Sequence, residues 1–544
     1  MFGLSVCCCG RKRADKFLLT LDKLRNYVAR ATTTADFTEE NVRICVRRHF
    51  SNKSKYCFQK SVQSHFSEYI IMSQSAEFSI MDYDIIGFDL DGTLLRYNLN
   101  HMVALEYKIL TNYLVKVKGY PKCLLEKPFN ANFLQKGLII DAERGNLLKL
   151  GADGTILRAT HGTKLLSPED VNKIYGESRQ WTLAQEFIRD PLSTWNGPAA
   201  EKLRTLLDYF DLAAALVFAQ AVDISDEKSE AMNFKIWPDI LSGLIYMYTR
   251  EHFANGQSEY FENLKACPQL YLMRTNENVI NWIKALRQAG KAIYLLTGSN
   301  IDFANFTASY ALGPDWRDLF DCTLCFAKKP GFFGMKRPFL RVADLAEVPK
   351  SEIPLDECLQ LGGIYSQGNF QQLLNTFNKL LFRKPFNEIR SLYLGDNLIQ
   401  DVYAPASCCN IATIALSEEL LCRESNYEFK PIVQSEFWGP YFSLDGSPTL
   451  WYRIIENCSQ LCIPNLDSLA KIPITKKILF KAGTGFLSNL PDTLTVYIEL
   501  WNILAIMWRI YIKLKLNKAM MFEYRQVKKL KDSHLKFDYT LYVD

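Results

Sequence analysis

Asp89-Leu90-Asp91-Gly92-Thr93 sets two carboxylates two residues apart, directly after the apolar run Ile85-Ile86-Gly87-Phe88. Residues i and i+2 of a strand share a face, and a loop beginning at Asp91 could still aim both acids into one pocket. The glycine beside the second acid lets backbone approach a ligand closely. With a cation, such a pair suits phosphoryl transfer. One acid attacks phosphorus, the other handles the leaving-group proton, and the cation neutralises the charge between them. The same five residues also read as an ordinary turn after a strand. The chemistry therefore requires three more parts: a hydroxyl and N–H groups for phosphate oxygens, a cationic side chain, and a further carboxylate for a metal. Each should lie at the carboxyl end of another parallel strand, where open α/β sheets bind ligands.

All three occur, in order. Ala292-Ile293-Tyr294-Leu295-Leu296 runs into Thr297-Gly298-Ser299-Asn300, where Thr297 offers a hydroxyl and Gly298 and Ser299 offer backbone N–H groups at a helix start. The run Leu319–Phe326 leads into Lys328-Lys329-Pro330-Gly331, with a loop-forming Pro-Gly pair directly after a lysine. Ser391-Leu392-Tyr393-Leu394 ends in Gly395-Asp396-Asn397, and Asp401 follows in the turn or the start of a helix. Singly, Thr297 is also an ordinary N-cap, Lys329 a solvated lysine and Asp396 a turn residue. Four such strand ends in this order argue against coincidence.

This order of motifs resembles the haloacid dehalogenase (HAD) superfamily of phosphatases, and most closely its 5′-nucleotidase branch. The likeness rests on AKKPGFF at Ala327–Phe333, GGIYSQGN at Gly362–Asn369, the stretch Lys136–Leu166 and YFDLAAALVFAQAVD at Tyr209–Asp223. It spans about Met72 to Phe480. The resemblance implies an α/β fold, a HAD-like Rossmannoid core with a parallel sheet flanked by helices and a large α+β cap inserted between the first two motifs. It implies Asp89 as nucleophile through an aspartyl-phosphate, Asp91 as general acid and then base, Thr297 as a phosphate ligand, and Lys329 as the neutralising charge. Mg²⁺ would be held by the carboxylates of Asp89 and Asp396 and the backbone carbonyl of Asp91, an oxygen-only shell. Asp401 would orient Lys329 or a metal-bound water. The implied activity is a Mg²⁺-dependent phosphomonoester hydrolase, a 5′-nucleotidase on nucleoside monophosphates. The alternatives are a phosphatase of another small phosphomonoester, such as a sugar phosphate, or a low-turnover binding or regulatory module on the same fold. Purine-reading members of the branch carry an Arg-Asp-Ala-x-Asp-x-x-His helix that the corresponding stretch Asp239–Tyr248 lacks. The implied catalytic residues carry over and the base-reading ones do not.

Thr297 follows Asp89 by 208 positions, where a plain βαβ crossover needs only about 30. The surplus reads as an inserted domain. The expected division is a basic leader 1–71 without order, a core of 72–96 and 271–415, a cap of 97–270, an extension of the core at 416–480, and an apolar and basic tail 481–544. The first part of the cap, with turns at Arg144-Gly145-Asn146 and Asp153-Gly154, predicts hairpins. Pro168 to Glu262 reads as helical, Leu212–Val222 most clearly. A cap would exclude water and choose the leaving group. Lys149 and His161 are its candidate substrate contacts, beside the plainer readings of a rim charge and a histidine bridging backbone in a loop. Phe129, Phe133, Tyr209 and Phe210 could stack on a base, although core packing accounts for each. Phe339–Leu361 reads as a polar surface excursion.

The net charge of +5 is uneven: Met1–Ile71 carries thirteen Lys/Arg against six Asp/Glu, a net +7, which leaves the remainder at −2. That distribution argues against a nucleic-acid groove over the core. The leader has three readings: an acylated anchor at Cys7-Cys8-Cys9 beside Arg11-Lys12-Arg13, an import peptide, or a segment without order ahead of a natural start at Met72. Near the other end, Leu494–Ile512 is almost continuously apolar and long enough to cross a bilayer, but it contains Glu499 and Arg509. A helix packed on the domain or an interfacial helix fits it equally, so membrane contact by either terminus stays open, as does homo-oligomerisation. Fifteen cysteines, an odd number without a framework spacing, suit a reducing, cytoplasmic setting, and Cys322-x-x-Cys325 reads as core thiols.

Overall fold

A computed structural model of the chain describes residues 75–193, 198–227, 235–423 and 427–481. Two compact units are delimited; the first ends at Ala76, and the architecture below is that of the second, from Glu77 onward. The polybasic leader and Leu494–Ile512 lie outside the described residues. No helix among the described residues is long and apolar enough to cross a membrane.

The strands are β1 (Ile85–Phe88), β2 (Leu138–Asp141), β3 (Asn146–Leu150), β4 (Ile156–His161), β5 (Lys164–Leu165), β6 (Leu203–Leu206), β7 (Ala292–Leu296), β8 (Cys322–Cys325), β9 (Phe339–Ala343), β10 (Ala346–Ile353), β11 (Gly363–Gln367), β12 (Ser391–Gly395), β13 (Ala412–Leu416) and β14 (Leu461–Ile463). Nine of them form a mixed, largely parallel sheet in the order β10-β9-β11-β8-β7-β1-β12-β13-β14. From β11 to β14 every pairing is parallel. Only β9 runs against the rest, pairing antiparallel with both β11 and the edge strand β10. Helices cover both faces, so the central strands are buried on each side and read as unbroken apolar runs rather than alternating ones. Strand β1 sits in the middle, with β7 and then β8 on one side and β12 on the other. The chain leaves β1 for β7 and only later returns to β12. The tips of β1, β7, β8 and β12 therefore converge at a switch point of the sheet, where a crevice forms.

Between β1 and β7 lies the inserted region. It leaves and rejoins the core through a short antiparallel ladder of Arg96–Tyr97 with Leu272–Met273. Inside it an antiparallel sheet runs β5-β4-β3-β2-β6. The predicted hairpins are present, with Gly145 and Gly154 at positive φ in their turns. Among its helices are α1 (Leu99–Lys116), α2 (Leu212–Glu227), α3 (Ile236–Tyr248) and α4 (Arg250–Asn255). The small side chains of α2 let it bury every residue from Leu212 to Ile224.

One stretch folds differently from its sequence reading, and two others gain definite form. β6 interrupts the segment read as helical: Leu203, Thr205 and Leu206 are buried where β6 pairs with β2. Within the polar surface excursion read at Phe339–Leu361, Phe339–Ile353 is a hairpin at the sheet edge. Its polar side chains face water, and its turn places Asp344 and Leu345 at positive φ without the glycine that normally announces such a turn. The stretch after Leu416 contributes β14 to the central sheet. It also ties itself to the inserted region: Trp438 Nε1 donates to Phe133 O at 2.8 Å, and Trp451 Nε1 to Gly137 O at 2.8 Å.

Candidate active site

Strand β1 ends at Phe88, and the chain turns at once. Gly92 N–H bonds Leu95 O at 2.8 Å, and Leu95 N–H bonds Leu90 O at 2.8 Å. Gly92 has φ +80°, and a Cβ there would stand 2.6 Å from the Asp396 carboxyl carbon. The glycine thus permits both the turn and the approach of the β1 and β12 tips. At the β12 tip, a Cβ on Gly395 would lie 2.4 Å from Asp401 Cβ. A π-helical turn at Leu398–Tyr403 curls Asp401 back, its Oδ2 accepting from Asn397 N–H at 3.2 Å.

The four tips meet as the sequence analysis expects. Lys329 Nζ lies 2.7 Å from Asp89 Oδ1 and 2.7 Å from Asp401 Oδ1, with all three side chains buried. Asp91 is held by three hydroxyls: Tyr97 at 2.7 Å on Oδ1, and Ser299 at 2.8 Å and Thr297 at 3.2 Å on Oδ2. The Ser299 N–H donates within its own loop, to Thr297 Oγ1 at 3.0 Å. Carboxylate oxygens of Asp89, Asp396 and Asp401 all lie within 4.8 Å of one another.

So many buried acids around one lysine perturb each other. Burial pushes Asp89 well above the usual carboxylate range, against the pull of Lys329, and Asp401, Asp396 and Asp91 add to the rise. Burial raises Asp91 too, opposed by its Tyr97, Ser299 and Thr297 hydrogen bonds. Asp396 is pushed up to about 8 by burial, with Lys136 opposing. Asp401 rises for the same first reason, against Lys329. For Lys329, burial disfavours the charge, but Asp401 and Asp89 outweigh it and hold the ammonium above its ordinary value. The cluster sets four carboxyls, Asp89, Asp91, Asp396 and Asp401, against the two ammonium groups of Lys329 and Lys136, and its donors are hard oxygens. That donor set fits a divalent cation of the Mg²⁺ or Ca²⁺ type.

Five residues that sequence reasoning passed over complete the surroundings. Tyr97 holds Asp91. Lys136, buried and 3.7 Å from Asp396 Oδ2, stacks its ammonium 4.7 Å over the Tyr209 ring. Asp208 accepts from Asn397 Nδ2 at 2.9 Å, joining the inserted region to the β12 loop. Arg250 Nε pairs with Asp302 Oδ2 at 3.2 Å, joining α4 to α5 (Ile301–Leu312). Of these, Lys136 and the neighbour of Asp208 fall in stretches whose family likeness marks them. Nothing in the sequence announces the Arg250–Asp302 pair. A cavity of about 360 Å³ opens onto the acids, within the usual range for small-molecule sites. Its far wall is aromatic, with Phe210, Tyr248, Phe253 and Phe303, and carries the Arg250–Asp302 pair.

Lys149 and His161 are not brought to this cavity. Lys149 Nζ is buried among Gln135 Oε1 at 2.8 Å and the carbonyl oxygens of Trp438, Gly439 and Pro440 at 3.0, 3.3 and 2.6 Å. Burial and then the neighbouring Arg158 push it down to about 7. His161 bridges Asn146 Oδ1 at 2.8 Å and Asp226 Oδ2 at 2.9 Å, on the far side of the hairpins. Of the four aromatics considered for stacking, Phe210 alone lines the cavity.

An α/β sheet with an acid-rich crevice at its strand tips defines a class of sites that handle phosphate esters, and comparison with known proteins narrows it. Residues 74–428 match the 5′ nucleotidase family. The human 5′-nucleotidase domain-containing protein 1 is 34% identical over 435 residues, covering 74% of this chain and 92% of its own length. The bovine protein of the same name is 33% identical, covering 77% and 96%. The human 5′-nucleotidase domain-containing protein 2 is 27% identical, covering 60% and 58%. The chain belongs to the 5′-nucleotidase family.

Proposed function

We propose that the chain is a Mg²⁺-dependent phosphomonoester hydrolase of the HAD type, with residues 97–270 as its cap and a nucleoside 5′-monophosphate as its substrate. The observation that carries this reading is Lys329 seated between Asp89 and Asp401 beside a hydroxyl-bound Asp91, all lining one cavity with several aromatic side chains. The family membership supports it.

In this mechanism Lys329 holds the Asp89 carboxylate in place for attack on phosphorus. A bond forms between an Asp89 oxygen and phosphorus while the bond to the leaving oxygen breaks. Asp91 gives its proton to that oxygen, and the alcohol departs. Asp91 then takes a proton from water as the water attacks phosphorus, the bond to Asp89 breaks, and inorganic phosphate leaves. Thr297 and Gly298 N–H bind the phosphoryl oxygens. The carboxylates of Asp89 and Asp396 and the carbonyl of Asp91 would hold Mg²⁺, which when bound neutralises charge on the transferring group. The aromatic wall receives the base, and the Arg250–Asp302 pair offers donors and an acceptor to its edge. The direct test is phosphate release from a panel of mononucleotides and sugar phosphates with Mg²⁺. Release from mononucleotides is expected, and none from any substrate would sink the reading in favour of a binding module.

A linkage follows from the raised carboxyls. Asp396 protonates near 8 when folded and near 3.9 when unfolded, so between about pH 4 and 8 the native state binds the extra proton. Its stabilising contribution is whole below the unfolded value and is lost as pH rises through the folded one. Mg²⁺ must displace that proton. Without metal, the melting temperature should fall from about pH 5 to about pH 8, and added Mg²⁺ should raise it more at the higher pH. An equal Mg²⁺ shift at both would contradict the shared site.

A further inference from the structure

We infer that Tyr97 is a positioning residue that fixes the Asp91 carboxyl for proton delivery to the leaving group; the inference rests on the reading of Asp91 as general acid. The chain places Tyr97 against Asp91 by a short route. Asp91 bridges Leu95 across the turn after β1, and two residues later Tyr97 pairs with Leu272 in the ladder at the neck of the inserted region. Its backbone is therefore fixed on both sides. Its ring packs edge-on against Phe210, with centroids 5.0 Å apart at 84°, and the residue is 4% exposed. A buried phenol held this way has one soft torsion left, and the 2.7 Å bond to Asp91 Oδ1 sets it.

The other two hydroxyls on Asp91 have a different duty. Ser299 and Thr297 both donate to Oδ2, and both sit in the β7 loop that meets the phosphoryl group. When they turn to phosphate oxygens, Oδ2 is freed to face the leaving oxygen, and Tyr97 on Oδ1 is the hydroxyl that stays. Tyr97 is not among the cavity-lining residues, so it acts on substrate through Asp91. Losing that anchor lets the carboxyl rotate about its χ2, a broad torsion, and displaces the acid from a geometry with little tolerance.

Protonation matters in proportion to how poor the leaving group is. An alkoxide such as the ribose 5′ oxygen needs the proton, whereas p-nitrophenolate leaves without it. General acid catalysis contributes about 10²–10⁴ in rate. Tyr97→Phe, which keeps the ring and its packing, is expected to lower kcat on a nucleoside 5′-monophosphate by roughly tenfold or more. It should leave KM near wild type, and also the first-turnover release of p-nitrophenolate from p-nitrophenyl phosphate, the step that needs no proton from Asp91. In an Asp91→Asn background, Tyr97→Phe should add no further loss on the nucleotide. Equal losses of the first-turnover rate on both substrates, no loss on either, or losses that add in the double variant would each overturn the assignment. Vanadate with Mg²⁺, which engages Asp89 and the phosphate ligands rather than Tyr97, should raise the melting temperature of wild type and Tyr97→Phe alike. If it raises neither, the phosphatase reading itself fails, independently of Tyr97.

Discussion

Asp89→Asn is expected to bring phosphate release to the assay floor, a loss on the order of 10⁶-fold, the cost of removing a nucleophile outright. The side chain keeps its shape, and an amide oxygen can still accept from Lys329. What disappears is the negative charge and the lone pair that attacks phosphorus. The variant should fold, since it lowers the like-charge repulsion that Asp401, Asp396 and Asp91 impose on this carboxyl. Its melting temperature in metal-free buffer should match or exceed that of wild type, while its Mg²⁺-dependent rise shrinks. Activity equal to wild type would remove the nucleophile assignment. A lower melting temperature would show that the charge serves structure instead.

Lys329→Met should have the second largest effect, on rate and on stability together. Taking one charge-stabilising group from such a site costs about 10²–10³ in rate. It also leaves Asp89 and Asp401 buried without the ammonium that lies 2.7 Å from each. Breaking a buried pair from one side costs about 3–5 kcal/mol, and the abandoned carboxyls escape part of it by protonating. Their folded pKa values, already raised, rise further, so the unfolded state loses its protons first over a wider range. The destabilisation is thus smallest at low pH and grows toward and beyond neutrality, read as melting temperature against pH. Lys329→Arg should not restore activity, because a planar fork cannot replace a compact ammonium between two acids. A variant with near-normal kcat and an unchanged melting curve would show that the lysine is a bystander.

The four strand tips were legible because each joins an apolar run to loop residues that a buried strand does not need. A run such as Ala292–Leu296 fits a strand covered on both faces, and the loop after it carries the chemistry. The insertion was legible from length alone. What escaped was set by distant partners. β6 forms because β2 offers it an edge, and its own sequence, Leu-Arg-Thr-Leu, sits as well in a helix. The Asp344-Leu345 turn hides because a leucine occupies a left-handed position. Arg250 and Asp302 are 52 residues apart, and no local pattern links them. Lys149 misled for the converse reason: a lysine in a strand-like run suggests an accessible charge, and its burial depends on three carbonyls nearly 300 residues away.

Those carbonyls also settle what can be exchanged between relatives. The Lys149 ammonium, the Trp438 and Trp451 indoles and strand β14 tie Phe133, Gly137 and Lys149 to the central sheet with one returning thread. Residues 97–270 therefore cannot be exchanged between relatives by themselves. A chimaera has to carry the donor's stretch around 432–463 as well, or the graft arrives without its fastenings.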